Sequence, residues 1–291
     1  MLRLMAKSKR FSEIALMGYV QKLDPEKNLQ FSAVTFRLGE KELYVAYRGT
    51  DDTLLGWKED FLMSVLDIVP SQKEALDYLN KVSDYNPRKK LYLGGHSKGG
   101  NLAVYSAVHS SKSLQKKILG IYNHDGPGFK ESLVDTEAYQ AVQERIRTFV
   151  PQSSVVGMLL EHEENYMVVK STEKGLMQHD GFSWEVCGPS FLHLESVTRE
   201  SRVADMAIRT VLGDMSDEQR MLFTNTLFEI LEAKRNHTLN DIREEGLKAF
   251  RAMLKTYDNL DRETRKMLGS VFSKMLAESL KGYHRTRGSE D

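Results

Sequence analysis

Two apolar periodicities run along this chain, and the switch between them marks its main division. Through the first two thirds, short apolar and aromatic runs of strand length alternate with stretches that repeat every three to four residues. The pattern predicts a helix over 11–23, then a hairpin of strands 31–38 and 43–47 joined by a polar turn at Gly39-Glu40-Lys41. Helices are predicted over 58–66 and 71–82, the second capped by Ser71 with Glu74 three residues on. A buried strand over 91–93 leads into a helix over 101–109. Further strands are predicted at 118–123, 146–150, 166–171 and 182–186, with a helix over 131–145. Alternating strand and helix of this kind predicts an α/β fold: a mainly parallel sheet covered on both faces.

Beyond Gly188-Pro189 the strand signals vanish and helical periodicity takes over to about Tyr283. The division predicted is a sheet domain over 1–189 and an all-helical domain over 190–291. Leu268, Val271, Phe272, Met275 and Leu276 trace one apolar face, and Leu247, Phe250, Met253, Leu254 and Tyr257 another. Packing among the helices and onto the first domain accounts for these faces; a lipid-sensing or partner-binding lid is the alternative. A loop is expected over 236–240 and a polar, frayed tail over 284–291.

Composition removes several classes of function. The 291 residues carry 41 basic and 41 acidic side chains, a balance that gives no reason to expect nucleic acid or an anionic membrane as partner. The single cysteine, Cys187, excludes an internal disulfide and a multi-cysteine zinc site and fits a reducing, cytoplasmic setting. Lys7, Ser8, Lys9, Arg10, Ser12 and Glu13 interrupt the N-terminal apolar residues, so no signal peptide is expected. No stretch approaches the roughly 18 apolar residues of a membrane helix, and a soluble protein is expected.

The chemistry concentrates at Gly95-His96-Ser97-Lys98-Gly99, where a G-x-S-x-G turn joins a buried strand to a helix. Such a nucleophile elbow presents the serine Oγ above the sheet, which makes Ser97 the candidate nucleophile. An acyl-transferring serine needs a base, an acid to orient it, and donors for the oxyanion. The strand 44–47 breaks into a turn at Gly49-Thr50, so the N–H and hydroxyl of Thr50 and the N–H of Lys98 are the candidate donors. Arg48, Asp51, Asp52, Trp57 and Asp60 are expected to brace that turn. Asp51 and Asp52 lack the further ligands that a metal would need.

Arg48-Gly49-Thr50, Gly56-Trp57, Asp60-Phe61, the Gly-His-Ser-x-Gly-Gly elbow and Asp125-Gly126-Pro127-Gly128 together resemble the class 3, fungal-type lipase pattern. The run His96-Ser97-Lys98-Gly99-Gly100-Asn101-Leu102-Ala103 resembles, more narrowly, a bacterial branch related to those lipases. The resemblance covers about residues 30 to 190 and implies an α/β-hydrolase fold with a Ser, acid, His chain order. His124, His162, His179 and His193 qualify as the base by position; the resemblance selects His179, in His179-Asp180-Gly181-Phe182-Ser183-Trp184. It also places Ser154, not a carboxylate, in the slot where these lipases carry their acid. Asp125, at the end of the strand after the elbow helix, is the first choice for that role, with Asp180, Glu161 and Glu163 as alternatives. Lys98 replaces the apolar residue usual after the nucleophile. Its ammonium is expected in solvent, with preference for an anionic acyl or leaving group as the alternative.

The sequence therefore predicts a cofactor-free, metal-free serine esterase or lipase-like hydrolase acting on a small-molecule ester or lipid. Its catalytic residues are Ser97, His179 and Asp125, with Thr50 and Lys98 at the oxyanion hole. The alternative is a hydrolase-fold scaffold whose chemistry has decayed and whose helical domain is the working surface, a possibility raised by Ser154 in the acid slot.

Overall fold

A computed structural model describes residues 2–51, 53–63, 66, 68–154, 156–158, 165–213, 215–231 and 255–287. The strands, in chain order, are β1 (Ala15–Asp24), β2 (Leu29–Arg37), β3 (Glu42–Tyr47), β4 (Lys90–His96), β5 (Ile118–His124), β6 (Ile146–Pro151), β7 (Tyr166–Val169), β8 (Val186–Cys187), β9 (Ser190–Phe191) and β10 (His193–Leu194). Eight of them form one sheet in the order β1-β2-β3-β4-β5-β6-β7-β10; β8 and β9 make a separate hairpin. β3 through β7 run parallel, whereas β1, β2 and β10 join antiparallel at the two sides.

The centre of the sheet follows from its apolar strands. Leu43 and Val45 of β3, Leu91 and Leu93 of β4, and Ile121 of β5 are fully buried, each contributing about 1.5–3 kcal/mol. The helices begin with α1 (Leu2–Lys7), α2 (Leu54–Leu62), α3 (Pro70–Tyr85) and α4 (Lys98–Val108). Every residue of α4 is buried, against the central strands and α3. The two sheet faces are covered unequally. Tyr44, Tyr92 and Tyr122 line the face opposite Leu43 and Leu93, with ring centroids 6.3 and 6.4 Å apart, and stay half-buried.

Several elements differ from the pattern's prediction. Residues 15–24 are a strand, not part of a helix over 11–23. Leu16, Val20 and Leu23 sit at helical spacing, but the open edge of β2 captures the segment, with Gly18 at φ +64° and a register shift between Met17 and Val20. Ser71 lies inside the first turn of α3; Val69 is the N-cap, Pro70 takes the first helical position, and Gln72 Oε1 accepts the Val69 N–H. After α5 (Lys112–Gln115), the helix expected over 131–145 is two, α6 (Glu131–Val134) and α7 (Glu137–Gln143), because Thr136 caps a new start. Residues 181–183 are a 3-10 turn, so of the strand predicted over 182–186 there remain an antiparallel bridge from Trp184 to Ser171 and Val186 in β8.

The C-terminal part holds α8 (Arg199–Gly213), α9 (Asp217–Leu231) and a last helix, Arg262–Arg287, which includes residues expected in a frayed tail. Leu268 and Val271 pack with Val211 and Phe223. Phe61 of α2 meets Phe228 of α9 edge to face at 5.6 Å, tying these helices to the sheet region. The loop expected over 236–240 and the positions Leu247, Phe250, Met253 and Leu254 lie outside the described residues, as do the side chains of Phe272, Met275 and Leu276. Among the described residues, no helix is long and apolar enough to cross a membrane.

Candidate active site

The sequence's chemistry gathers where parallel strands end. Thr50 follows β3, Ser97 follows β4, Asp125 follows β5 and Ser154 follows β6, all at the carboxyl edge, where open α/β sheets bind ligands. Ser97 sits between β4 and α4 at φ +56°, ψ −132°, a conformation that costs a residue with a Cβ about 1–3 kcal/mol. Neighbouring glycines make the turn possible: a Cβ on Gly95 would run into the Gly99 carbonyl, and one on Gly99 into the Tyr47 carbonyl. The Ser97 N–H donates to the His124 carbonyl at 2.9 Å. The serine residue is 8% exposed, with the Gly49 backbone passing beside it.

Asp125 and His179, 54 residues apart, meet: His179 Nδ1 donates to Asp125 Oδ2 at 2.7 Å. Asp125 is 1% exposed and, like Ser97, has positive φ, +52°. Its other oxygen, Oδ1, accepts from the Ser154 hydroxyl and from the Gly157 N–H at 3.1 Å. The loop after β6 thus supplies a hydroxyl that grips a carboxylate arriving from β5. His179 closes the 3-10 turn Gly175–His179, anchored by Trp184 Nε1 donating to the Gln178 carbonyl at 2.8 Å. His96 donates its Nε2–H to the His179 carbonyl at 2.5 Å and lies with its ring 4.5 Å from that of His179. Burial, reinforced by the facing His179, lowers the His96 pKa to about 4, so it is a neutral donor at ordinary pH.

The other candidates are elsewhere. Asp180 caps its own turn through the Phe182 N–H at 3.0 Å. His124 donates Nδ1–H to the Gly95 carbonyl and stacks on Phe149; His193 is exposed in β10. His162, Glu161, Glu163 and Asp52 lie outside the described residues.

The bracing of the Thr50 turn matches expectation in part. Arg48 pairs with Asp51 at 2.9 Å, and the Thr50 hydroxyl donates to Asp60 Oδ2 at 2.5 Å. That hydroxyl proton is committed to Asp60, which leaves the backbone N–H as the donor Thr50 can offer. Lys98 departs from both expectations for its side chain. It is 1% exposed, and its ammonium donates to Glu59 Oε2 at 2.9 Å, to the Gln30 carbonyl at 3.0 Å and to Gln30 Oε1 at 2.6 Å. It does not face solvent, and its three N–H donors are all taken. Glu59 and Gln30 were not singled out by the sequence. The available signal was Glu59 on the buried stripe of α2 with Leu54 and Leu62, where a carboxylate requires a partner.

A mainly parallel sheet with a serine at the strand-to-helix elbow defines an α/β-hydrolase fold. The Mbeg1-like family model matches residues 5–229, and the chain belongs to that family. Solved structures with a similar fold include the native Rhizomucor miehei lipase propeptide complex, 17% identical over 63% of this chain and 63% of that one (TM-score 0.39). A triacylglycerol lipase from Penicillium expansum is 13% identical over 63% of this chain and 75% of that one (TM-score 0.43). M37 lipase is 18% identical over 54% and 61% (TM-score 0.42). The chain thus spans less than two thirds of the Rhizomucor miehei protein. No curated protein sequence matches it.

Proposed function

We propose that this chain is a serine hydrolase of carboxylic esters, esterase- or lipase-like, working through an acyl-enzyme on Ser97. The observation that carries the proposal is the 2.7 Å bond from His179 Nδ1 to the buried Asp125 carboxylate, at the sheet edge that bears the serine elbow. With Nδ1–H held by Asp125, the imidazole keeps Nε2 free of its proton to act as base. Ser97 Oγ attacks the ester carbonyl, and His179 Nε2 takes its proton and returns it to the departing alkoxide oxygen. The N–H groups of Thr50 and Lys98 stabilise the oxyanion. Water, deprotonated by the same nitrogen, then attacks the acyl carbonyl; the Ser97 Oγ–acyl bond breaks, the proton passes from His179 Nε2 to Ser97 Oγ, and the acid leaves. No cofactor or metal enters these steps.

Ser154 supports catalysis in this scheme by holding Asp125, which turns the one feature favouring a decayed scaffold into part of the site. The helical domain proposed for 190–291 comprises the helices from Arg199 onward, because β9 and β10 still pair as strands and β10 belongs to the main sheet; these helices pack on α2 through Phe228 and on the Ser154 loop through the Ser201 hydroxyl. The substrate is a small-molecule ester or lipid, in a cytoplasmic setting consistent with the single, exposed Cys187. Turnover of p-nitrophenyl butyrate by the wild type and its loss in Ser97→Ala are expected. Equal rates in the two proteins would refute the assignment.

A further inference from the structure

The sequence places a lysine directly after the nucleophile, where the elbow needs only a backbone N–H. An ammonium has three donors, and here all three are spent on the Gln30 carbonyl, Gln30 Oε1 and Glu59 Oε2. Both Glu59 oxygens also accept backbone N–H groups, from Gln30 at 3.1 Å and Ser71 at 2.9 Å, which fixes the carboxylate in place. The lysine ammonium is therefore held by three acceptors, two of them on Gln30. It lies 3.9 Å from Asp60 Oδ1, a buried oxygen that has no hydrogen-bond partner among the described residues. The opposite oxygen, Oδ2, takes the Thr50 hydroxyl.

A chain of contacts thus runs from the Lys98 ammonium through Asp60 to Thr50, and it begins and ends on the two residues whose N–H groups form the oxyanion hole in the proposed mechanism. We propose that the Lys98 side chain is a positioning group: its ammonium, 3.9 Å from Asp60 Oδ1, anchors the carboxylate whose Oδ2 takes the Thr50 hydroxyl, so that the Thr50 N–H faces the oxyanion. The proposal rests on the serine-hydrolase assignment. Without the cation, the buried Glu59 carboxylate repels the neighbouring, partly buried Asp60, and Asp60 takes up a proton. The Thr50 hydroxyl then loses its charge-assisted acceptor and can reverse its bond with the acid. Burial already raises the Asp60 pKa to about 6 against the opposing pull of Lys98. The groups facing Asp60 are Lys98 from α4, Thr50 from the turn after β3, its neighbour Glu59 on α2, and His179 across the site.

The test is steady-state kinetics on p-nitrophenyl butyrate, across pH, for the wild type, Lys98→Met, Asp60→Asn and the Lys98→Met/Asp60→Asn double variant. Lys98→Met should lower kcat by about 10-fold, less than the roughly 10² expected for deleting an oxyanion donor outright, with KM within about threefold. Its acid limb should move to higher pH by about one pH unit, because Asp60 then holds its proton longer. Asp60→Asn should lower kcat similarly, and the double variant should be no slower than the slower single, since both act through Thr50. If Lys98→Met does not fold, Lys98→Met/Glu59→Gln, which neutralises the buried pair together, replaces it, with a kcat loss in the same direction and an acid-limb shift to higher pH that is smaller than for Lys98→Met, because the repulsion of Asp60 by Glu59 is removed too. Wild-type turnover with an unchanged kcat or an unmoved acid limb in the lysine variant overturns this role and leaves the hydrolase assignment standing. A wild type that neither turns over the ester nor labels at Ser97 overturns both.

Discussion

The Asp125 carboxylate is shared between two partners from distant parts of the chain: Oδ2 receives His179 Nδ1–H at 2.7 Å, and Oδ1 receives the Ser154 hydroxyl. An acid held this way can fix an imidazole tautomer. Asp125→Asn should keep the fold by circular dichroism yet lose roughly 10³–10⁴ in kcat, because an amide favours the wrong tautomer. Asp180→Asn, which touches only its own turn, should stay near the wild-type rate. The reverse ranking would move the acid elsewhere.

Ser154→Ala removes one of the two donors on Asp125 Oδ1 and leaves the Gly157 N–H. One lost hydrogen bond to a charged group is worth about 1.5–3 kcal/mol at most, and Asp125 retains its others. A fall in kcat of about 10-fold with unchanged KM is expected. A loss as deep as that of Asp125→Asn would mean that Ser154 acts on the imidazole directly.

Asp60 and His96 pull acid stability in opposite directions. Burial raises the Asp60 carboxyl to about 6, above its unfolded value, so the folded protein binds that proton more tightly and gains stability as pH falls through about 6 toward 4. Burial and the facing His179 lower His96 from 6.5 to about 4; the stability tied to the neutral ring is complete above 6.5 and is lost as pH falls toward 4. Asp60→Asn removes the gain and keeps the loss. Its Tm should therefore drop more between pH 7 and pH 5 than the wild type's, and an equal or smaller drop would contradict the opposed titrations.

Gly99→Ala tests the elbow. The added methyl meets the Tyr47 carbonyl, a backbone atom in the sheet that cannot swing aside. A loss of at least about 2 kcal/mol in urea unfolding, or failure to fold, is expected. Stability within about 0.5 kcal/mol of wild type would mean that the strand-to-helix approach is looser than described.

Legibility in the sequence followed locality. The hairpin of β2 and β3, the elbow and the parallel strands were readable because Leu43, Val45, Leu91 and Leu93 alternate or cluster within one element and the glycines mark one turn. β1 was not readable, since Leu16, Val20 and Leu23 fit a helix as well as a strand and only the free edge of β2 decides between them. At the site, Ser97 came from a local motif, and Asp125 and His179 came from chain order and resemblance. The grip of Ser154 on Asp125 and the burial of Lys98 against Glu59 and Gln30 join residues 29, 39 and 68 positions apart. No local periodicity encodes such pairings. A lysine at a helix start reads as solvated until the partner carboxylate is known.

The central claim is that Ser97 is a nucleophile activated by His179. Incubation with a fluorophosphonate, followed by peptide mass spectrometry, tests it without knowledge of the physiological ester. A single phosphonyl adduct on Ser97 in the wild type, at least about 10²-fold slower to form in His179→Ala, is the predicted result. Folded wild-type protein that carries no adduct on Ser97, or a His179→Ala variant that labels as fast as wild type, would contradict it.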